Sequence, residues 1–143
     1  MALLGDQEKA FIVGGQARTG KLAVCRLDGT PHVAPVWVDL DESSGEIVFM
    51  TSADTVKGKS ILRDGRVGIC FDDERPPFSF VTVSGTTTTS DDPDDLLRWG
   101  TRIAARYVGA ELADEVGRRN AVPPELVVRI TPTRVASGFD IAD

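Results

Sequence analysis

Hydroxyl and ammonium groups are concentrated in one stretch near the middle of the chain, residues 45–66. Thr51 and Ser52 follow a predicted buried strand, and Lys57 and Lys59 stand in the first turns of a predicted short helix. A helix N-terminus carries backbone N–H groups without intrahelical partners and a partial positive charge, so it favours anions. This combination can bind a phosphate. The same residues are also typical of an ordinary capped helix with solvated lysines, and the pattern alone leaves both interpretations open.

Side chains for other kinds of catalysis are sparse. The single histidine, His32, has no cysteine or second histidine close by in the sequence, so neither a metal site nor a histidine-dependent nucleophile is predicted. The acidic clusters at residues 72–74 and 91–95 fall in predicted loops, which does not favour acid–base glycoside hydrolysis. No dinucleotide or phosphate-loop fingerprint occurs. If the protein is an enzyme, we expect a bound cofactor to carry the chemistry, and no side chain is assigned a catalytic role.

The overall composition excludes several classes of protein. A net charge of −6 over 143 residues argues against a nucleic-acid or anionic-membrane binder, which would carry a basic surface. The length predicts one globular domain over residues 1–143. No apolar run approaches the roughly 20 residues of a membrane span, no charged-then-apolar leader opens the chain, and the two cysteines have no metal-binding spacing. A cytoplasmic location is therefore predicted.

The elements that must position these residues are mainly β-strands. Apolar patterning and turn residues predict seven strands, at residues 21–27, 32–40, 47–51, 66–71, 78–89, 125–130 and 133–139. Pro35 lacks a backbone N–H and is expected at a sheet edge or a bulge, and Gly85 at a bulge or sharp bend. Short helices are inserted between the strands, at residues 6–16, around Lys57, and at residues 96–107 and 110–120. The pattern predicts a small split or closed β-barrel of six or seven antiparallel strands.

Two segments of the chain carry a family resemblance. DGTPHVAPVWV (residues 28–38) and IVFMTSADTVKGKSILRDGRVGICFDDERPPFSFVTVSGT (residues 47–86) closely resemble the split-barrel flavin and deazaflavin oxidoreductases, the superfamily that includes pyridoxamine 5′-phosphate oxidase. The shared pattern is a strand, a Ser/Thr turn, Lys-Gly, an apolar helix and an Arg-x-x-Arg-Val sequence. These elements occur in the right order over about half of the chain. The resemblance implies a mainly β, FMN-binding split barrel.

The resemblance also implies a cofactor site. In the matched positions Thr51, Ser52 and Lys57 would hold the cofactor phosphate. Lys59 would add charge to that site or reach a tail of the cofactor.

The ring of the cofactor would lie against two strands. The resemblance implies that the backbone around Pro35, Val36 and Trp37 faces the pyrimidine side of the ring, and that Phe49 and Met50 line the ring on the adjoining strand.

The family's site lies at the interface of a homodimer. Pro77 and Phe78 would therefore reach the cofactor that the partner subunit binds. The apolar alternation over residues 78–83 is suited to such a twofold interface.

Two departures from the family pattern narrow the function. Val56 stands where pyridoxamine phosphate oxidases carry a second basic residue, and VRITPTRVASGFDIAD at the C-terminus lacks their substrate-gripping arginine and histidine. HVAPVWV and PPFSFVTVSG instead resemble the actinobacterial subgroup that uses the deazaflavin coenzyme F420. The resemblance implies hydride transfer from reduced F420 to an unsaturated or quinone-like small molecule. An FMN-dependent oxidase or reductase, and a cofactor-binding protein without turnover, remain as alternatives.

Overall fold

The computed structural model, which describes residues 3–143, is built around one antiparallel sheet of seven strands. Its seven strands are β1 (Gly20–Cys25), β2 (Pro31–Val36), β3 (Val38–Asp41), β4 (Glu46–Ser52), β5 (Arg66–Asp73), β6 (Ser79–Ser90) and β7 (Glu125–Gly138). They lie in the order β2-β1-β5-β6-β7-β4-β3. The sheet is curled into a split barrel, which confirms the predicted fold class.

Four helices are inserted between the strands: α1 (Asp6–Val13), α2 (Val56–Arg63), α3 (Pro93–Val108) and α4 (Ala110–Asn120). Helix α3 packs with α4 and covers part of β3, β4 and β7, while α2 packs near β1, β2 and β4. In the part of the chain that the structure describes, no helix has the length and apolar character to cross a membrane.

The two edges of the sheet meet at Trp37. The predicted strand over residues 32–40 is in fact two strands, because β2 pairs with β1 and β3 pairs with β4. Only Trp37 separates them in the chain, so the polypeptide passes here from one edge of the curled sheet to the other. Pro35 lies in the edge strand β2, as its missing N–H predicted. We call this junction the seam.

Helix α3 closes the seam with side chains. The Tyr107 phenol accepts a hydrogen bond from the Val38 backbone N–H at 3.0 Å and donates one to the Arg18 carbonyl at 2.8 Å. The Trp37 ring stacks on the Tyr107 ring, with centroids 5.0 Å apart and planes only 4° from parallel. The Arg106 guanidinium donates to the Val38 carbonyl. Polar backbone groups that the bend removes from strand pairing are therefore satisfied by α3.

Tyr107→Phe tests this closure. The ring and its stacking on Trp37 are kept, but the Val38 N–H and the Arg18 carbonyl each lose a partner at a half-buried position. We expect the free energy of unfolding to fall by about 1–3 kcal/mol, the cost of leaving a buried polar group unpaired. Urea unfolding followed by circular dichroism measures this difference. Unchanged stability would mean that water replaces the phenol at the seam.

The interior of the barrel and the layer beneath the helices are two separate apolar clusters. Along β4, Ile47 and Phe49 point into the barrel, whereas Val48 and Met50 point outward and pack against Trp99 of α3. Trp99 is fully buried. This alternation follows from the two-residue period of a strand, and it decides which side chains of β4 can reach a site outside the barrel.

Strand β7 differs from the prediction. It runs unbroken from residue 125 to residue 138, where two strands interrupted at Pro132 were predicted. Pro132 pairs with Gly85 where the register between β6 and β7 shifts, which is the bulge predicted at Gly85. A bulge already disrupts the ladder, so the missing N–H of proline is tolerated there. A Cβ atom at Gly85 would lie 2.5 Å from the Thr131 carbonyl oxygen, so only glycine fits this crossing.

Candidate functional site

A cleft of about 240 Å³ opens beside the seam, between the outer face of the sheet and helices α2, α3 and α4. Its lining residues are Pro35, Val36, Trp37, Met50, Lys57, Gly100, Ile103, Ala104, Asn120 and Glu125. Five of the eleven residues predicted to bind a cofactor therefore lie together in one chain.

The seam supplies one wall of the cleft. Pro35, Val36 and Trp37 belong to the edge strand β2 and to the bend that follows it. An edge strand presents backbone N–H and C=O groups that no further strand pairs with. Such an edge can form hydrogen bonds with the alternating donors and acceptors of a heterocyclic ring. Met50 lies on the outer face of β4 and lines the cleft with its thioether chain.

Lys57 supplies the positive charge of the cleft. It stands at the second residue of α2, whose start is capped by Thr55: the Thr55 hydroxyl accepts the Gly58 N–H at 3.0 Å. Within residues 3–143 the Lys57 ammonium has no ion pair or side-chain hydrogen bond, and no other cation lines the cleft. An unpaired ammonium at the rim of an apolar cleft can bind an anionic group.

The hydroxyls of the preceding turn have a structural role. Thr51 is only 4% exposed, and its Oγ1 lies 3.0 Å from Oγ1 of Thr55. Its side chain therefore supports the helix cap, and its contact with a cofactor phosphate stays a prediction. Ser52 is half-buried, and its hydroxyl accepts the Asp54 N–H at 3.2 Å, which leaves its own proton free to donate.

Two other predicted residues lie away from the cleft. Phe49 is completely buried inside the barrel, because it alternates with Met50 along β4; its side chain does not line the site. Lys59 is exposed and does not line the cleft either. It follows Lys57 by two residues, a spacing that places side chains on different faces of a helix.

Pro77 and Phe78 lie in the turn between β5 and β6 and do not line the cleft of their own chain. Their carbonyls accept hydrogen bonds from the C-terminal segment: Ala142 N–H donates to Pro77 and Ile141 N–H to Phe78, both at 2.9 Å. The Phe78 ring is 41% exposed. Their contact with a cofactor held by a partner subunit stays a prediction.

Glu125 was not predicted. It is the first residue of β7, pairs with Ser52 of β4 and lines the cleft together with Lys57. Burial raises the pKa of its carboxyl group above the ordinary value, and the nearby Lys57 ammonium partly opposes this shift. In the sequence Glu125 is only a polar residue before an apolar strand, so no local pattern marks it.

Helix α3 contributes three further residues to the cleft. Gly100, Ile103 and Ala104 of α3 line the cleft. A Cβ atom at Gly100 would lie 3.2 Å from the Gly117 carbonyl oxygen of α4 and 3.5 Å from the Met50 sulfur. Glycine in a helix interior costs stability. Gly100 in α3 and Gly117 in α4 therefore indicate that the two helices cross closely.

Gly58 positions the start of α2. A Cβ atom at this residue would overlap the Ser52 carbonyl oxygen, so Gly58→Ala must push the helix away from the end of β4. Glycine to alanine ordinarily stabilises a helix, but here we expect the free energy of unfolding to fall by about 1–3 kcal/mol, as for overpacking. Thermal unfolding tests whether Gly58→Ala is less stable than the native chain. Lys59→Ala, on the exposed side of the same helix, is the control and should change the free energy of unfolding by less than about 0.5 kcal/mol.

Comparison with known proteins supports a family and a fold. The sequence profile of the pyridoxamine 5′-phosphate oxidase family matches residues 4–137. No curated protein sequence matches the chain. The conserved hypothetical protein Rv2991 from Mycobacterium tuberculosis is 26% identical, with a TM-score of 0.80 over 97% of this chain and 87% of that chain.

Two further solved structures share the fold at lower identity. An F420 reductase is 22% identical, with a TM-score of 0.69 over 93% of this chain and 98% of its own. The heme storage protein HutZ from Vibrio cholerae is 14% identical, with a TM-score of 0.68 over 87% of this chain and 89% of its own. At these identities the similarity establishes the architecture only.

Proposed function

The chain belongs to the pyridoxamine 5′-phosphate oxidase family, and from that premise we propose that it is an oxidoreductase that uses reduced coenzyme F420 to transfer hydride to an unsaturated or quinone-like small molecule. The observation that carries the proposal is the cleft at the seam. It combines an unpaired ammonium, a strand edge and apolar walls in one place. These are the three features that a phosphate-bearing, flat, redox-active heterocycle requires.

Each wall of the cleft has a distinct task in this proposal. The Lys57 ammonium neutralises the phosphate, and the edge at Val36 and Trp37 orients the pyrimidine side of the ring. Met50 and Ile103 cover the ring faces and exclude water. When bound, the reduced coenzyme supplies a hydride from its C5 position. The protein then needs only to hold ring and acceptor together, which is consistent with the lack of a catalytic triad or metal-binding motif in the sequence.

We further propose a homodimer with the cofactor site at the interface. The cleft of one chain, at about 240 Å³, is smaller than the roughly 300–1,000 Å³ of sites that enclose a ligand. The outward face of β1, β5 and β6 carries several small side chains, with Ala23 beside Gly68 and with Cys70 between Lys21 and Thr82. Such a flat face is suited to a second copy of the sheet, and Pro77 and Phe78 would complete the partner's cleft.

Titration of the purified apo-protein with F420 and with FMN, followed by fluorescence quenching, tests the cofactor. We expect F420 to bind at micromolar concentration or tighter, and FMN more weakly. No binding of either would contradict the proposal. Tighter binding of FMN, or a yellow colour on purification, would favour the FMN-dependent alternative.

Turnover separates an enzyme from a cofactor-binding protein. The protein is loaded with reduced F420 and mixed with quinones, enones and tetrapyrroles, and oxidation of the coenzyme is followed by its absorbance. We expect oxidation with at least one class of acceptor. Tight binding without oxidation by any acceptor would identify a binding protein, a function that a heme storage protein of the same fold makes a specific alternative.

A further inference from the structure

We infer that Glu125 makes the cleft selective for a cofactor whose phosphate is a diester, with one negative charge, over a phosphate monoester with two. The inference rests on the proposed function, because it concerns the phosphate that Lys57 would bind. It names the residue that sets the choice between F420, whose phosphate is a diester, and FMN, whose phosphate is a monoester.

Glu125 lines the same cleft as Lys57, the residue that would bind the phosphate under the proposed function. Glu125 pairs with Ser52 across strands β7 and β4, and Ser52 ends the strand that leads through a three-residue turn into α2 and Lys57. Lys57 and Glu125 both line the cleft, and the lysine's charge acts on the Glu125 carboxyl. Within the described residues the Glu125 carboxyl has no ion pair, so its charge is not neutralised elsewhere.

The charges around the site almost cancel. Lys57 and Glu125 are the two charged residues that line the cleft. Asn120 of α4, which also lines the cleft, is neutral, and so is Val56, which precedes Lys57 in α2. Asp91, before α3, lines a neighbouring cleft together with Glu125 and adds a further negative charge. The site therefore offers one cation opposed by nearby carboxylates, a weak match for an anion of charge −2.

The two phosphate classes differ in charge at working pH. A phosphate monoester has a second pKa near 6 and carries about two negative charges at pH 8, whereas a diester keeps one. Lys57 can balance the single charge of a diester. The second charge of a monoester meets the Glu125 carboxylate. Like charges within one partly buried cleft repel by an amount on the order of 1.4 kcal/mol, which is about tenfold in affinity.

The test uses two ligands with one ring. Deazaflavin nucleoside 5′-phosphate and its methyl diester are titrated at pH 8 against the full chain, Glu125→Gln and Glu42→Gln. We expect the native chain to bind the diester about tenfold more tightly than the monoester. Glu125→Gln should bring the ratio within about threefold, mainly by strengthening monoester binding. Glu42→Gln removes an equal charge from the exposed turn between β3 and β4 and should leave the ratio unchanged.

Equal binding of both ligands by the native chain would overturn the inference, and so would a ratio that Glu125→Gln does not change. The uncharged deazaflavin nucleoside separates these failures from a failure of the proposed function. If the nucleoside binds and Glu125→Gln does not change the diester-to-monoester affinity ratio, the cofactor assignment stands and the role of Glu125 in selectivity is wrong. If none of the three ligands binds, both the cofactor assignment and the selectivity of the cleft are wrong. Glutamine has almost the same shape as glutamate, and matching circular dichroism spectra confirm that the variant is folded.

Discussion

Lys57→Ala is expected to weaken F420 binding by about 1.5–3 kcal/mol, which is roughly a 10- to 150-fold increase in the dissociation constant. Lys57 is the one cation that lines the cleft, and no ion pair within residues 3–143 competes for it. The variant therefore removes a charge-assisted hydrogen bond to the phosphate. The fold should be unaffected, because alanine is a good helix former at this half-buried position in α2.

Lys59→Ala is the matched control. It removes the same charge from the same helix, two residues further on, where the side chain is exposed and does not line the cleft. We expect a change of less than about threefold, typical of a solvent-exposed charge. Fluorescence titration of both variants at low and high salt separates direct contact from general attraction. Equal losses of F420 affinity in the two variants would contradict a phosphate site at Lys57. An unchanged F420 affinity of Lys57→Ala would place the phosphate elsewhere.

Local features of the chain predicted most of the sheet. Asp28-Gly29, between β1 and β2, is a sequence typical of a tight hairpin, and Gly29 has the positive φ of +85° that such a turn requires. Gly85 predicted the bulge between β6 and β7. Lys57 and the turn before it were recognisable because the turn, the cap and the lysine are contiguous in sequence. Each of these features is decided by a few neighbouring residues, so the sequence contains the whole signal.

The errors arose where distant residues decide the structure. The segment around Trp37 has the pattern of one strand, but the curvature of the whole sheet and Tyr107, 70 positions further on, divide it into two. Glu125 enters the site only through its pairing with Ser52. Phe49 is a different case. Neighbouring side chains of a strand point to opposite faces, so Phe49 and Met50 cannot both line the same cleft.

The same alternation separates the core of the barrel from its outer face on β6. Val81 is fully buried inside the barrel, whereas the next residue, Thr82, points to the outward face that we propose as the dimer interface. The sequence predicted that the apolar alternation over residues 78–83 is suited to a twofold interface. The structure assigns Val81 to the core.

Val81→Asp is therefore expected to prevent folding. A carboxylate without a partner inside an apolar barrel costs more than about 4 kcal/mol, and small domains have only about 5–15 kcal/mol of stability in total. We expect loss of the cooperative thermal transition at pH 7. A variant that unfolds cooperatively within about 1 kcal/mol of the native chain would contradict the burial of Val81.

Thr82→Asp introduces the same charge one residue along the strand and serves as the counterpart. Because Thr82 lies outside the core, the chain should fold with a native circular dichroism spectrum. If β6 contributes to a twofold interface, two like charges are brought together across the axis, and sedimentation should show a shift from dimer to monomer. F420 binding should weaken in the same variant, since the partner's Phe78 can no longer complete the cleft. A stable dimer with unchanged F420 affinity would place the interface on another face, while unfolding of Thr82→Asp would show that the two faces of β6 are not separable.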